Sequence, residues 1–297
     1  MRRRFGAMVC CALLVFSIGS CAEEPAKPEP EPAPVTAILG AFQKEIALLK
    51  DRVETPREQT IEGMTFVRGT LSGREVAIAW TGVGKVNAAV TTALMIEHFK
   101  PAHVIFTGIA GAVDPNLEPG DIVVAARTAH HDMGLLWEGG FTHSGVTNPI
   151  AGIENPVFFE ADEMLLATAE RAAKTTAFQP IETVQGQRPP QVITGVIVTG
   201  DSFVASRAKC EELGAVLGAD AVEMEGAAVA QVCFQRDVGC LVIRSMSDKA
   251  DADAIGDKQM FYDLAAENSA RLVAEIIEQL GSQTQPVKPE ASAPPTD

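Results

Sequence analysis

Three carboxylates lie in one short stretch of the chain, at a spacing that could support acid–base chemistry. Glu223 and Glu225 end an apolar run. A helix of small residues is predicted over 226–232 and a buried strand over 240–244, and Asp248 follows that strand. In α/β proteins the carboxyl ends of neighbouring strands meet at one crevice, so Glu225 and Asp248 are expected to share a pocket. Paired carboxylates in a cleft indicate acid–base catalysis, although solvated strand ends would show the same spacing.

Strands and helices alternate along the part of the chain that must position these carboxylates. The alternation predicts an α/β fold, a single domain with a central mixed, largely parallel twisted sheet flanked by helices. The segments 138–156 and 175–190 are predicted to be long loops, the first because it is rich in Gly, Pro, Asn and Thr. Strands are expected at 35–39, 65–69, 75–81, 103–107, 121–126, 192–199 and 240–244. One helix is expected to begin near residue 42, and a second to follow Gly84 and run through residue 99. Further helices are expected at 161–174, 206–217, 226–232 and 259–280.

The composition limits the classes of partner. The chain has 297 residues, a hydrophobic fraction of 46% and a formal net charge of −15. An acidic chain without a basic stripe is not expected to bind nucleic acid through its phosphates. A small neutral or cationic ligand is the more natural partner.

The first residues have the pattern of an export signal. Three arginines at positions 2–4 precede an apolar run over 7–18, which is short for a membrane span and suits a signal peptide. The run ends Ile-Gly-Ser-Cys at positions 18–21, which resembles a bacterial lipobox. We therefore expect cleavage before Cys21, acylation of Cys21, and a periplasmic or cell-surface lipoprotein anchored to the membrane through that residue. Simple secretion and an uncleaved anchor are the alternatives.

The export-signal pattern also sets the expected boundaries of the segments that follow it. After a signal peptide at 1–20, the acylated cysteine begins a Pro/Glu-rich linker at 21–34 that cannot bury a core. The folded domain is expected at 35–281. The last segment, 282–297, has a composition similar to the linker and is expected to be disordered.

The remaining motifs argue against the commonest nucleotide, serine-hydrolase and metal chemistries. Gly82-Val83-Gly84-Lys85 has neither P-loop spacing nor the third glycine of a dinucleotide fingerprint. The sequence has no Gly-x-Ser-x-Gly elbow and no metalloprotease helix. His130 and His131 are adjacent and would point apart on a strand, so no catalytic or metal role is expected for them. The three cysteines beyond residue 200 lack metal-ligand spacing, and Cys233 and Cys240, which lie in apolar helix and strand patterns, are expected to pack. We expect no metal, cofactor or disulfide.

Seven short motifs occur in one order over about 35–280. They are Ile38-Leu39-Gly40-Ala41 through Glu45, Gly82 to Ala89, Thr107 to Gly111, Gly120 to Val124, Gly200 to Val204, Val222-Glu223-Met224-Glu225, and Ser247 to Asp251. Together they resemble the nucleoside phosphorylase/nucleosidase superfamily, and within it the 5′-methylthioadenosine/S-adenosylhomocysteine nucleosidases. One such motif would be a weak signal, but seven in order are specific.

The resemblance implies a role for each matching residue. Asp248 matches the general acid that protonates purine N7, and Glu45 matches the carboxylate that activates the attacking water. Glu225 matches the residue that holds the ribose hydroxyls, with Glu223 as a neighbouring support. The other implied substrate-binding residues are Met224 against the sugar, Gly111 beside it, Phe203 stacked on adenine, Val204 reading the adenine edge through its backbone, and Ser247 next to the acid.

The resemblance also implies a reaction and an assembly. Phosphorylases of the superfamily hold phosphate with arginines, whereas a carboxylate at Glu45 would repel phosphate, so water is the expected nucleophile. Ser247-Asp248 suits a 6-amino purine, which implies hydrolysis of an adenine nucleoside with release of adenine. The alternatives are a phosphorylase, a hydrolase for another purine nucleoside, and a nucleoside-binding protein without turnover. Members of the family are typically homodimers, and Phe261 is a candidate for contact with the 5′ substituent.

Overall fold

The buried strands are almost continuously apolar, because the central sheet is covered on both faces. The computed structural model describes residues 34–150, 152–183 and 186–282. The predicted signal peptide, Cys21, nearly all of the linker and nearly all of the C-terminal tail lie outside the described residues. The described residues belong to one compact unit.

Strands and helices alternate as predicted. The helices are α1 Gln43–Asp51, α2 Lys85–Phe99, α3 Glu163–Ala172, α4 Arg207–Leu217, α5 Gly226–Gln235 and α6 Ala254–Ser282. The strands are β1 Thr36–Gly40, β2 Glu54–Ile61, β3 Met64–Leu71, β4 Arg74–Trp80, β5 His103–Ala112, β6 Ile122–His130, β7 Gly134–Trp137, β8 Gly140–His143, β9 Val146–Thr147, β10 Glu154–Asn155, β11 Phe158–Glu160, β12 Ile181–Thr183, β13 Gly186–Arg188, β14 Val192–Thr199, β15 Ala221–Glu223 and β16 Gly239–Asp248.

Ten of these strands form one mixed sheet. Its order is β11-β6-β14-β15-β5-β1-β4-β3-β2, and β16 pairs with both β5 and β6. The pairs β1–β4, β1–β5 and β5–β16 are parallel, so these four strands end at one edge of the sheet. β6, which is parallel to β14, runs antiparallel to β16. The antiparallel pairs include β2–β3, β3–β4 and β6–β11. The predicted fold class, a single α/β domain with a central mixed sheet and flanking helices, is confirmed.

Successive side chains of the central strands point to opposite faces of the sheet, as the twofold period of a strand requires, and therefore lie in two different hydrophobic cores. In β5, Phe106 lies in the core under α2 and α5, whereas Ile105 lies in the core under α1, α3 and α6. β16 repeats the pattern with Val242 and Leu241. Both faces of these strands are therefore filled mainly by apolar side chains, with Arg244 in the middle of β16 as the buried charged exception.

Several predicted boundaries were wrong for identifiable reasons. The segments predicted as loops contain the short antiparallel pairs β9–β10 and β12–β13. They also contain β8, which pairs with β7 just before the first segment. Strand β2 was missed because ETPREQTI is polar and seven of its eight residues are exposed, as expected of a strand at the sheet edge. β16 extends to Asp248 rather than ending at Arg244, because an ion pair allows that arginine to lie within a buried strand.

The last helix also differs from its prediction. α6 begins at Ala254 rather than 259, so the segment before Gln259 is helical and carries side chains toward the strand ends. Among the described residues, none of the helices combines the length and the apolar character needed to cross a membrane.

Candidate active site

One cavity lies where the parallel strands end. Strand β16, the end of β5, the first turn of α1 and the β15–α5 junction all contribute to it. Every predicted catalytic or substrate-binding residue lines it except Val204. Its lining residues are Phe42, Glu45, Val83, Ile109, Ala110, Gly111, Phe203, Val222, Glu223, Met224, Glu225, Ser247, Asp248 and Lys258.

Glu45 is held at the start of α1 by backbone donors from two elements. Its side-chain oxygens accept hydrogen bonds from the N–H of Phe42 (2.8 Å) and the N–H of Ile109 in β5 (3.0 Å). The residue is 1% exposed, and this burial raises the pKa of the Glu45 carboxyl, although the nearby Arg244 charge and the backbone donors act in the opposite direction. When ionised, such a carboxylate is a stronger proton acceptor than an exposed glutamate.

Asp248 ends β16, and its carboxyl group is oriented by its own chain. One oxygen accepts a hydrogen bond from the Ser247 hydroxyl (2.7 Å) and the other from the N–H of Ala250 (2.9 Å). A register shift between Met246 and Asp248 places Asp248 opposite Gly111 of β5. Burial raises the pKa of Asp248, against these two hydrogen bonds. A raised pKa keeps more of the carboxyl group protonated at neutral pH, as a general acid requires.

Arg244 is the functional residue that sequence reasoning missed. It lies in the middle of β16, is 1% exposed, and its guanidinium is 4.1 Å from the centroid of the Phe106 ring. Its Nη2 atom lies 2.6 Å from Oε2 of Glu223 and 3.7 Å from Oε2 of Glu225, and its charge also acts on Glu45. One buried cation thus faces three carboxylates from two separate parts of the chain, the start of α1 and the β15–α5 junction. Its Nη1 atom has no hydrogen-bond partner among the described residues.

Glu223 is the support of this cluster. Its carboxylate accepts hydrogen bonds from the Thr199 hydroxyl, from the N–H of Glu225 (3.1 Å) and from the N–H of Gly226 (2.7 Å). These bonds fix the backbone turn between β15 and α5, and Arg244 neutralises the charge. Glu223 is thereby engaged on both oxygens, which leaves the neighbouring Glu225 to face a ligand.

Glu225 is less fully paired than Glu223. One of its oxygens accepts the N–H of Gly84 (2.8 Å), a residue whose φ of +94° favours glycine. Burial, reinforced by the Glu223 carboxylate and opposed by Arg244, raises the pKa of Glu225 to about 8. At neutral pH this carboxyl group is largely protonated and can both donate and accept hydrogen bonds, as a pair of ribose hydroxyls requires.

Two glycines in β5 allow these side chains to approach the backbone. A Cβ atom at Gly108 would lie 2.5 Å from Oε1 of Glu45 and 2.6 Å from Nη1 of Arg244. A Cβ atom at Gly111 would lie 2.8 Å from Oδ1 of Asp248. The glycine loop Gly108-Ile109-Ala110-Gly111 therefore provides the space in which the carboxylates and Arg244 meet.

The remaining predicted residues are divided between this cavity and its surroundings. Met224 and Phe203 line it, and the Phe203 ring is 41% exposed at its mouth. The ammonium of Lys258 lies 5.1 Å from the centroid of that ring. Val204 packs partly buried against a separate core cluster and lines a neighbouring surface depression with His131. Phe261 does not line this cavity. A second cavity lies beside it, and its lining includes Tyr262 but not Phe261.

Among the described residues, no histidine or cysteine lines this cavity. His130 Nε2 lies 2.9 Å from the Gln231 side chain, whereas the ring of His131 packs beside Gly200. The free and buried cysteines are Cys210, Cys233 and Cys240. In the part of the chain that the structure describes, no group of three or more His, Cys, Asp or Glu side chains could hold a metal ion.

The sequence profile described as the phosphorylase superfamily matches residues 35–278. The chain therefore belongs to the phosphorylase superfamily. A 5′-methylthioadenosine/S-adenosylhomocysteine nucleosidase of Bacillus thuringiensis (strain Al Hakam) is 36% identical over 251 residues, which are 82% of this chain and 98% of that protein.

Solved structures agree with this assignment. The 5′-methylthioadenosine/S-adenosylhomocysteine nucleosidase of Neisseria meningitidis, in complex with methylthio-immucillin-A, is 35% identical with a TM-score of 0.71 over 82% of this chain and 99% of that chain. The futalosine hydrolase of Helicobacter pylori strain 26695 is 31% identical with a TM-score of 0.71 over 83% of this chain and 98% of that chain. The family that the seven motifs implied is confirmed.

Proposed function

We propose that this chain hydrolyses the N-ribosidic bond of adenine nucleosides of the 5′-methylthioadenosine/S-adenosylhomocysteine type and releases adenine. The observation that carries the proposal is the pair of buried carboxyl groups, Glu45 and Asp248, that face one cavity from α1 and β16. The 36% identical nucleosidase, matched over nearly its whole length, supports it. A protein that only binds nucleosides would not need both a general acid and a general base in one pocket.

Asp248 would act on the leaving group. As the C1′–N9 bond breaks, its electron pair moves to the adenine, and the proton of Asp248 passes to N7 so that a neutral base departs. Ser247 and the N–H of Ala250 hold the carboxyl group in one orientation, which is what a proton transfer requires.

Glu45 and Glu225 would act on the sugar. Glu45 accepts the proton of the water that attacks C1′, and its negative charge also stabilises the oxocarbenium-like transition state. Glu225 would hold the ribose hydroxyls, with Met224 against the ring. Arg244 and Glu223 position these carboxyl groups from behind.

Water is favoured over phosphate as the nucleophile by the charges of the cavity. Its lining includes four carboxyl groups, and Lys258 is its only Lys or Arg residue among the described lining residues. Arg244 lies behind the lining and is already paired with Glu223. A phosphate dianion beside Glu45 would meet repulsion, and no arginine among the described residues lines the cavity to offset it.

The test is adenine release from 5′-methylthioadenosine, measured with and without inorganic phosphate. We expect release at the same rate in both conditions. Release that depends on phosphate would indicate a phosphorylase. Absence of release together with tight binding of the nucleoside would indicate a binding protein, and either outcome would overturn the proposal.

We propose that the protein is a homodimer. Apolar side chains are exposed along the start of α2 and on the β7–β8 hairpin, where a monomer would leave them in water. They are Trp80, Val83, Val86 and Val90 on the first surface and Leu135, Leu136 and Trp137 on the second.

We also propose that the mature protein is a lipoprotein anchored through Cys21 outside the cytoplasm. The proposal rests on the basic, apolar and Ile-Gly-Ser-Cys segments at the start of the chain and on the Pro/Glu-rich stretch that follows them. Cys21→Ser should move the protein from the membrane fraction to the soluble fraction and remove its incorporation of labelled fatty acid. Membrane association that does not change in the variant would contradict the anchor.

A further inference from the structure

A second cavity, of about 490 Å³, adjoins the candidate active site. The two cavities share Phe203 and Lys258, so a ligand that fills the inner cavity can extend into the outer one. The outer wall is one face of α6, whose lining residues recur at helical spacing: Ile255, Lys258, Gln259, Tyr262 and Asp263. Neither the sequence motifs nor the proposed reaction uses this surface.

Lys258 is unusual among the cations of this acidic chain. It is half-buried at the junction of the two cavities, with its ammonium 5.3 Å from the centroid of the Phe42 ring and 5.1 Å from that of Phe203. Among the described residues, no carboxylate oxygen lies within 4.0 Å of its Nζ atom. The aromatic faces offset part of the cost of removing the ammonium from water, but they leave its hydrogen-bond donors unused.

Lys44 provides the comparison within the same cavity. Its ammonium lies 2.8 Å from Oδ1 of Asp263, and both side chains are largely exposed. This cation therefore has its counter-ion already, whereas Lys258 has no carboxylate oxygen within 4.0 Å among the residues that the structure describes. An anion placed in the outer cavity would gain most from Lys258, because its half-buried ammonium has no such close ion pair there.

We propose that Lys258 selects, among nucleosides whose 5′ substituent reaches the outer cavity, substituents ending in an anion over neutral ones of the same size. The inference rests on the proposed function, since it specifies which adenine nucleosides that site prefers. Lys258 is in this respect a specificity-determining residue, and the chemistry it recognises is that of a carboxylate or phosphate.

The experiment compares substrates that differ only in charge. Wild-type protein is assayed for kcat/KM with 5′-(2-carboxyethylthio)-5′-deoxyadenosine and with its carboxamide, and AMP is compared with adenosine to distinguish a phosphate from a carboxylate. We expect the carboxylate-to-carboxamide ratio to fall about tenfold in Lys258→Met and to be largely restored in Lys258→Arg. Lys44→Met, the matched control, should change the ratio by less than about twofold because its ion pair is exposed.

The ratio separates charge recognition from other roles of Lys258. Its charge also lowers the pKa of Asp248, whose dominant influence is burial, so a purely catalytic effect would reduce turnover of both substrates by the same factor. An unchanged ratio in Lys258→Met would overturn the inference while leaving the nucleosidase intact. Absence of adenine release from every nucleoside would contradict the proposed function instead. In that case calorimetric binding of the same charged and neutral pair still tests Lys258.

Discussion

Asp248 and Glu45 are both buried carboxyl groups with a raised pKa, yet their contacts differ in a way that suits different roles. Asp248 is bonded by a side-chain hydroxyl and one N–H within three residues of itself. Glu45 is bonded by backbone donors from two elements and lies in the field of Arg244. Hydrogen bonds favour the ionised form of both groups and burial outweighs them, so the distinguishing contact is the Arg244 charge, which stabilises the carboxylate of Glu45.

Replacing the acid should separate binding from turnover. Asp248→Asn keeps the shape of the side chain but cannot protonate the leaving base, so adenine release should fall by roughly 100-fold or more. Calorimetry should show that nucleoside affinity is largely retained. Asp51→Asn is the matched control, because Asp51 is exposed at the end of α1 and lines neither cavity. Equal activity of Asp248→Asn and the control would place the acid elsewhere.

The raised pKa of Glu225 predicts a pH dependence of stability. Its ordinary value is 4.5 and its value in the folded protein is about 8, so the folded state holds a proton that the unfolded state has lost between these two pH values. The contribution of this group is fully present below pH 4.5 and is lost as the pH rises through about 8.

The Glu225→Gln variant isolates that contribution. The free energy of unfolding of the wild type minus that of the variant, from denaturant titrations, should decrease between pH 5 and 9 by on the order of 3 kcal/mol. A difference that stays constant or increases with pH would show that Glu225 titrates normally in the folded protein.

At the scale of secondary structure, the site depends on how closely β5 approaches β16. β5 supplies the glycine loop, and the parallel register sets Gly111 opposite Asp248. The first turn of α1 then delivers Glu45 over the same strand, and the β15–α5 junction delivers Glu225. Because no single element contains the site, small shifts between elements should lower turnover even when they are too small to lower the stability of the fold.

Gly111→Ala tests this dependence. The added methyl group would lie 2.8 Å from both Oδ1 of Asp248 and Cβ of Ala250, so the acid must shift. We expect turnover to fall roughly tenfold or more and the free energy of unfolding to fall by about 1–3 kcal/mol.

Gly256→Ala is the control for this substitution. Gly256 lies in α6, and a methyl group added there would meet no atom within 4 Å, so activity should be unchanged and stability should change by less than about 1 kcal/mol. Enzyme assays and denaturant unfolding measure both quantities. Full activity in Gly111→Ala would mean that the position of Asp248 is not set by this contact.

At the scale of the whole molecule, the charge distribution is uneven. The chain carries a net charge of −15, yet its buried site is organised around Arg244 and its outer cavity around Lys258. The exposed apolar surface at the start of α2 is a separate feature, which the proposed dimer would cover.

Val86→Glu should disrupt that dimer. Val86 is 73% exposed, so the substitution has little effect on the folded monomer but places a charge in the proposed interface. Light scattering coupled to size exclusion should show a shift from dimer to monomer mass. Val216→Glu, at an apolar position on α4 that is 57% exposed, should leave the mass unchanged. A monomeric wild type, or identical masses for the two variants, would exclude this interface.

The sequence was sufficient for the parts of the protein that depend on local pattern. Apolar runs identified the central strands because a sheet covered on both faces leaves almost no polar residues in them. The order of seven motifs identified the family, and Asp248, Glu45 and Glu225 with it. Polar edge strand β2 and the short hairpins were missed because their residues are exposed and carry no such pattern.

Only the tertiary structure showed what neutralises and surrounds these carboxyl groups. From the sequence, Arg244 was predicted to be the polar end of a buried strand. Its ion-pair partners lie on other elements, so the sequence did not reveal them. Lys258 lies in a segment without clear helical periodicity, and its relation to Phe42 and Phe203 exists only once α6 packs beside α1. The sequence therefore determined which groups could do the chemistry. The packing of distant elements decided their charges, because pKa values depend on burial and on neighbours that sequence distance does not reveal.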